Sequence, residues 1–209
     1  MVRERVNNKV FTDAFFLPCP ADDRKFVQGS LFPVERPIEL DIGCGRGRFL
    51  LARAQSHPDV NFLGIDRSLL RLRKIDRRAV AANLDNIRLI NADAMAILPR
   101  LPDASASAIY VFYPDPWPKR RHQSRRLIAP LFIERVFHIL VPGGIIHLCT
   151  DHEDYFAAMT RFWGADTRFR SVTPFLPNED EETDFGLLFR AQERMAGRCS
   201  FQKRADQGC

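Results

Sequence analysis

The residues in this chain best suited to chemistry are acidic, and they recur at regular places. Asp41 stands directly before a glycine cluster, Asp41-Ile42-Gly43-Cys44-Gly45-Arg46-Gly47, and Asp66 lies 23 residues beyond Gly43, with Asp93, Asp115 and Asp151 further on. A pyrophosphate sits on bare backbone N–H groups at a helix N-terminus and is repelled by a neighbouring carboxylate. The dinucleotide fingerprint also needs its third glycine where this chain has Arg48. Asp41 instead suits the amino group of a zwitterionic sulfonium donor, S-adenosylmethionine. On that reading Gly43 and Gly45 shape the turn, Asp66 accepts from the two ribose hydroxyls, and Asp93 accepts from the adenine amino group. Each aspartate taken singly also fits an ordinary turn-forming or helix-capping role.

A second group of residues suits a planar, charged substrate. Tyr113-Pro114-Asp115-Pro116-Trp117-Pro118-Lys119 carries three prolines in five residues, which fixes the backbone and holds Asp115 and Trp117 rigidly. An indole can stack on a base while the carboxylate accepts from a ring N–H or an exocyclic amine. From Lys119 to Arg126 there are five Lys or Arg in eight residues, together with His122, placed to meet phosphates as a base enters. Arg67, Arg71, Arg73, Lys74, Arg77 and Arg78 form a further basic stripe, read chiefly as a solvated helix face.

The elements that must position these groups alternate in type. Short apolar runs at 38–42, 60–65, 87–91, 108–113 and 145–149 predict strands. Helical periodicity fills the gaps: after Gly47 to His57-Pro58, from an N-cap at Ser68 to about Asn83, over 131–140, and from Thr150-Asp151 through Phe162. A weaker strand at 169–172, an acidic loop at 179–182 and an apolar run at 185–189 follow. Apolar strands alternating with helices predict an α/β protein with a parallel sheet covered on both faces. Right-handed crossovers then bring every strand C-terminus to one rim, where such sheets bind ligands. Asp41, Asp66, Asp93, Asp115 and Asp151 each fall at or just past a strand end, so the rim is the expected site.

Composition narrows the class. A chain of 209 residues that is 45% hydrophobic and 27% charged fits one globular domain. The division expected is an N-terminal arm over 1–36, carrying Arg3, Arg5 and Lys9, and a catalytic domain over 37–209. The apolar stretches end well before the ~18 residues that a membrane span needs, and the N-terminus lacks a signal peptide's apolar core, so the cytoplasm is the expected location. Five cysteines without a CxxC pair read as reduced thiols, with neither a disulfide framework nor a metal site expected. A formal net charge of +5 suits a polyanionic partner. The oligomeric state is not legible.

The motifs LDIGCGRGRFL, FLGID, NADA, YPDPWPKRRHQSRRL and TDHEDY together resemble the bacterial tRNA (guanine-N7-)-methyltransferases, over about residues 36–192. The resemblance implies a Rossmann-like class I methyltransferase fold of three α/β/α layers. Its seven-stranded sheet would be mostly parallel, with the last strand antiparallel. It implies methyl transfer from S-adenosylmethionine to N7 of guanosine 46 in the tRNA variable loop. Asp41, Asp66, Asp93 and Asp115 would contact the cofactor, Asp115 would also serve catalysis, and Lys119, Asp151 and Thr183 would bind tRNA. Where the family reads Thr-x-x-Glu, this chain reads Thr183-Asp184-Phe185-Gly186, leaving Glu182 or Asp184 as substitutes. Three rivals stay open: a methyltransferase acting on an exocyclic amine, a nicotinamide-dependent reductase, and an RNA-binding relative with weakened catalysis.

Overall fold

The computed structural model describes residues 13–20, 24–27 and 29–205, and of the first twelve only the paired backbones of Arg5–Val6 and Lys9–Val10. Arg3, and the side chains of Arg5 and Lys9, lie outside the described residues. Seven strands form the main sheet: β1 Ile38–Ile42, β2 Asn61–Asp66, β3 Ile87–Asn91, β4 Ala106–Phe112, β5 Leu140–Thr150, β6 Phe169–Val172 and β7 Gly197–Lys203. Their order is β3-β2-β1-β4-β5-β7-β6, parallel throughout except for β7, which runs antiparallel to both neighbours. The helices are α1 Arg48–Ser56, α2 Leu69–Ala81, α3 Ala94–Ile97, α4 Pro130–Ile139, α5 Glu153–Ala165 and α6 Asp184–Ala191.

Strand alternation sends side chains to opposite faces, and here both faces are dry. Leu63 and Ile65 of β2 belong to a core with Phe132 and Val136 of α4 and Tyr155, Met159 and Trp163 of α5. Phe62, one residue before Leu63 and so on the opposite face, joins Leu50 and Leu51 of α1 and Leu72, Ile75 and Ala79 of α2. Helix α2 shows why a basic segment can still be structural: Leu72, Ile75 and Ala79 are buried while Arg71, Lys74 and Arg78 are exposed. Successive strands move outward from β1 in both directions, so the order reverses between β1 and β4. That reversal is the switch point of a doubly wound sheet, where a crevice opens at the strand C-termini.

Three features differ from the periodicity reading. Strand β5 begins at Leu140, and Pro142-Gly143-Gly144, expected as the turn before it, forms an irregularity within the ladder: Ala106 pairs Leu140 while Ala108 pairs Ile145. The apolar run at 185–189 lies in helix α6. The last strand, β7, which the family resemblance implied, carries no period-2 signal of its own, because polar Arg198, Ser200, Gln202 and Lys203 interrupt its apolar residues. Three of these polar groups find partners inside the fold: Ser200 Oγ bonds His147 Nδ1 at 2.8 Å, Gln202 Nε2 donates to Gly143 O at 2.8 Å, and Lys203 Nζ donates to Phe137 and Leu140 carbonyls at 2.8 Å each. Residues before β1 also reach the core, with Phe15, Leu31 and Phe32 buried and Leu17 N–H donating to Leu89 O at 2.9 Å.

Candidate active site

The cofactor end of the rim is built from backbone. Gly43, Gly45 and Gly47 all adopt positive φ, at 79°, 57° and 71°, a region that L side chains enter only with strain. Gly47 has a second constraint, since a Cβ there would lie 2.5 Å from Ile75 Cγ1, so α1 and α2 approach closely only over glycine. A Cβ on Gly43 would meet nothing within 4 Å, which leaves the first turn of the loop open. Beneath it, Asp66 Oδ2 accepts from Gly45 N–H at 3.0 Å and Oδ1 from Ser68 N–H at 2.7 Å. Asp41 is buried in β1, and burial, reinforced by the Asp66 charge, pushes its carboxyl up to about 7. Desolvation without a compensating cation is the physical cause. Asp93 is exposed and caps α3, accepting from Met95 N–H at 2.9 Å. Asp66 and Asp93 thus do fill the turn and cap roles open to them, and each retains lone pairs for a further donor.

The corner after β4 is of a different kind. Tyr113 and Trp117 sit at φ 52° and 41°, with Pro114, Asp115 and Pro116 between them. Arg126 ties the corner down, donating from Nε to Pro116 O at 2.8 Å with its guanidinium 4.7 Å from the Tyr155 ring centroid. Arg125 lies over the Trp117 ring at 5.1 Å and His122 meets that indole edge-on at 5.9 Å. Two of the five cations between 119 and 126 therefore hold the corner's shape. Lys119, Arg120 and Arg121 are exposed, and Asp115 is exposed at the tip. Asp151, one residue past β5, is paired to Arg194 at 2.6 Å.

A third segment closes the rim. Glu181 and Glu182, read from sequence as part of an acidic loop, are 3% exposed each and pair inward. Arg48, the first residue of α1, donates to Glu182 O at 3.0 Å, and Arg53 pairs with Glu39 at 3.0 Å and Glu181 at 3.5 Å. The Glu182 carboxylate accepts from Thr183 N–H at 3.0 Å and pairs with Arg198 at 3.2 Å and Arg190 at 3.4 Å. Thr183 caps α6, its Oγ1 accepting from Gly186 N–H at 2.9 Å. A Cβ on Gly186 would collide with the Glu182 carboxylate, so the glycine leaves room for that group. Helix α6 docks on the corner through Tyr113, whose ring lies 5.3 Å from Phe189 and 6.0 Å from Phe185.

The rim thus gathers the sequence-derived residues in two groups, Asp41, Gly43, Gly45 and Asp66 around one loop, and Asp115 and Lys119 on the corner. Asp93 lies past β3, Asp151 past β5, and Thr183 on the segment that α1 holds. Sequence reasoning named Glu182 only as a substitute for the glutamate absent at 186, and it gave no role to Arg48, Arg194 or Arg198, whose one signal is charge, which does not say what it faces. A family model described as "Putative methyltransferase" matches residues 35–187. A tRNA (guanine-N(7)-)-methyltransferase of Rubrobacter xylanophilus is 42% identical over 152 residues, covering 72% of this chain and 68% of the relative. The chain belongs to this family. The enzymes of the same name from Hydrogenovibrio crunogenus and Acidithiobacillus ferrooxidans are 35% and 37% identical, covering 73% and 83% of this chain and 64% and 71% of the relatives' own length.

Solved structures agree on the fold of this tRNA (guanine-N7-)-methyltransferase family member. The 16S rRNA methyltransferase KamB superposes with a TM-score of 0.62 at 15% identity, covering 97% of this chain and 98% of that one. The aminoglycoside resistance methyltransferase NpmB1 gives 0.59 at 21% identity, covering 82% and 89%. The Rossmann-like class I methyltransferase architecture is therefore established, antiparallel last strand included. Among the described residues no group of three His, Cys, Asp or Glu could hold a metal ion, Cys19, Cys44, Cys149 and Cys199 are free thiols, and no helix is long and apolar enough to cross a membrane.

Proposed function

We propose that the protein transfers the methyl group of S-adenosylmethionine to N7 of guanosine 46 in the variable loop of tRNA, acting in the cytoplasm. Methyl transfer to tRNA guanine N7 goes with the family; the donor, the position and the residue roles are this proposal. The observation that carries the donor is Asp41, a buried carboxyl raised to about 7 beside an open glycine turn. Such a group gains most from an incoming ammonium, whereas a pyrophosphate would meet two neighbouring carboxylates, Asp41 and Asp66. The residues fit the donor: Asp41 for its amino group, Gly43 and Gly45 for close backbone approach, Asp66 for the ribose and Asp93 for the adenine. When bound, S-adenosylmethionine supplies an electrophilic methyl on a sulfonium.

Guanine N7 carries an unprotonated lone pair, so no side chain has to create the nucleophile. Catalysis by this chain is then positioning and charge stabilisation. Asp115, exposed on a proline-fixed corner, also borders the cofactor, orients the base and stabilises the positive charge that develops on the purine. Lys119, with Arg120 and Arg121, meets phosphates; Asp151 and Thr183 bound the substrate side. Residues 37–209 form the catalytic domain, with 1–36 as an arm whose Phe15 and Phe32 enter the core. Incubation with labelled S-adenosylmethionine and tRNA lacking the modification, followed by nucleoside analysis, should yield N7-methylguanosine. A methylated exocyclic amine, or no methylated nucleoside, would overturn the proposal.

A further inference from the structure

We infer that the ring of Phe185 on α6 is a stacking platform for a nucleobase of the RNA substrate, an inference that rests on the proposed tRNA reading. The sequence pointed to Trp117 for this task. In the fold Trp117 is half-buried, with Arg125 over one face at 5.1 Å and His122 against its edge, so much of that indole is used to hold the corner. Phe185 is 57% exposed on the same rim. It stands 6.0 Å from Tyr113, two residues before Asp115, and stacks on Phe189 at 6.1 Å and 25°. Two rings of its own chain thus support it while its remaining surface faces solvent.

Phe185 and Leu188, three residues apart on α6 and 57% and 48% exposed, leave an apolar face at the rim, and an exposed apolar patch rimmed by polar residues marks a contact site. The surrounding charges specify the partner. Lys119, Arg120 and Arg121 are exposed on the corner, and Arg194, paired to Asp151 at 2.6 Å and lying 4.4 Å from the Phe189 ring, is exposed just after α6. An unpaired base, with an aromatic face to stack on and cations for its phosphates, is the ligand such a surface recognises. The helix is held for this purpose rather than loosely hung: Thr183 caps it, Glu182 clamps Arg190 and Arg198, and Arg48 fixes Glu182 to the first turn after the glycine loop.

The test is a substitution series at 185 in the full chain, read as steady-state methylation of tRNA lacking the modification. Thermal midpoint and S-adenosylmethionine affinity are measured alongside. Phe185→Ala and Phe185→Leu should both lower kcat/KM for tRNA roughly ten-fold or more, mainly through KM, while Phe185→Tyr and Phe185→Trp stay within about three-fold of the parent. Cofactor affinity should not change in any of them. If Phe185→Leu matches the parent, the ring serves only apolar packing and the inference fails. It fails too if the alanine variant keeps its kcat/KM while the mass in solution changes, since the patch would then join two copies of the chain. Absence of N7-methylguanosine from the parent enzyme itself would instead bring down the underlying reading of the site.

Discussion

The two halves of the rim solve the same problem, holding acidic groups at strand ends, by opposite means. Around the glycine loop the carboxylates are buried, Asp41 at 6% and Asp66 at 8% exposed, and their neighbours are strand backbone and left-handed glycines. At the corner Asp115 is exposed, and it is set by prolines, ring contacts and guanidinium groups borrowed from several elements. The first arrangement puts carboxylates in a low-dielectric place where they interact strongly with one small cation. The second leaves room for a large polyanion to approach. Arg48 joins them: it begins the helix that follows the glycine loop and holds the turn from which α6 starts.

The contrast can be broken most sharply at Asp115. Asp115→Ala should lower turnover about 10²–10³-fold, the scale of losing one transition-state electrostatic partner, while calorimetric cofactor affinity stays nearly unchanged. Comparable losses in both would place Asp115 within the cofactor half alone.

Asp41 should show the reverse pattern, together with a pH dependence of its own. Its folded value of about 7 lies above the ordinary 3.8, so the stability tied to its neutral form is complete below about pH 4, lost as pH rises to 7, and constant beyond. Asp41→Asn should therefore raise the cofactor-free thermal midpoint at pH 8, by an amount on the order of 2 kcal/mol or more in stability, and give little change near pH 4. Ligand affinity has the opposite sign. The parent should bind S-adenosylmethionine more tightly as pH rises through 7, and Asp41→Asn should bind at least ten-fold more weakly at pH 8 with that dependence removed. A flat affinity profile in the parent would remove the ammonium partner assigned to Asp41.

Two glycines sharpen the comparison by stability and by site. Gly47→Ala combines a left-handed backbone with a collision against Ile75, for a loss of about 2–4 kcal/mol in denaturant unfolding and of cofactor binding with it. Gly186→Ala should displace the Glu182 carboxylate, cost about 1–3 kcal/mol and raise KM for tRNA with cofactor affinity retained. The smallest effect belongs to Arg194→Ala. The exposed pair with Asp151 is worth ~0–1 kcal/mol, so stability should barely move, and KM for tRNA should shift about two-fold through loss of one phosphate-facing cation.

Much of this was legible beforehand because it is local. Runs such as Ile38–Ile42 and Ile87–Asn91 carry their own strand signal, and Asp41-Ile42-Gly43-Cys44-Gly45 states both the turn and the charge beside it. An antiparallel last strand was implied by the family resemblance, but its place at β7 was not legible, since Lys203 reads as a surface residue until the carbonyls at 137 and 140 are brought to it. Nor was the standing of the acidic segment: Glu181 and Glu182 look solvated until Arg53 and Arg198, each remote in sequence, are placed against them.

The sequence by itself determined the alternation of strands and helices, the carboxylate before the glycine turn and the rigid corner, because each is a property of neighbouring residues and of backbone freedom. Only the tertiary structure decided which carboxylates are buried, which cations clamp the corner and which remain free to meet a phosphate. It also decided that Gly186 makes room for Glu182. Desolvation and pairing depend on what lies across the fold, and distant segments of chain supply those partners.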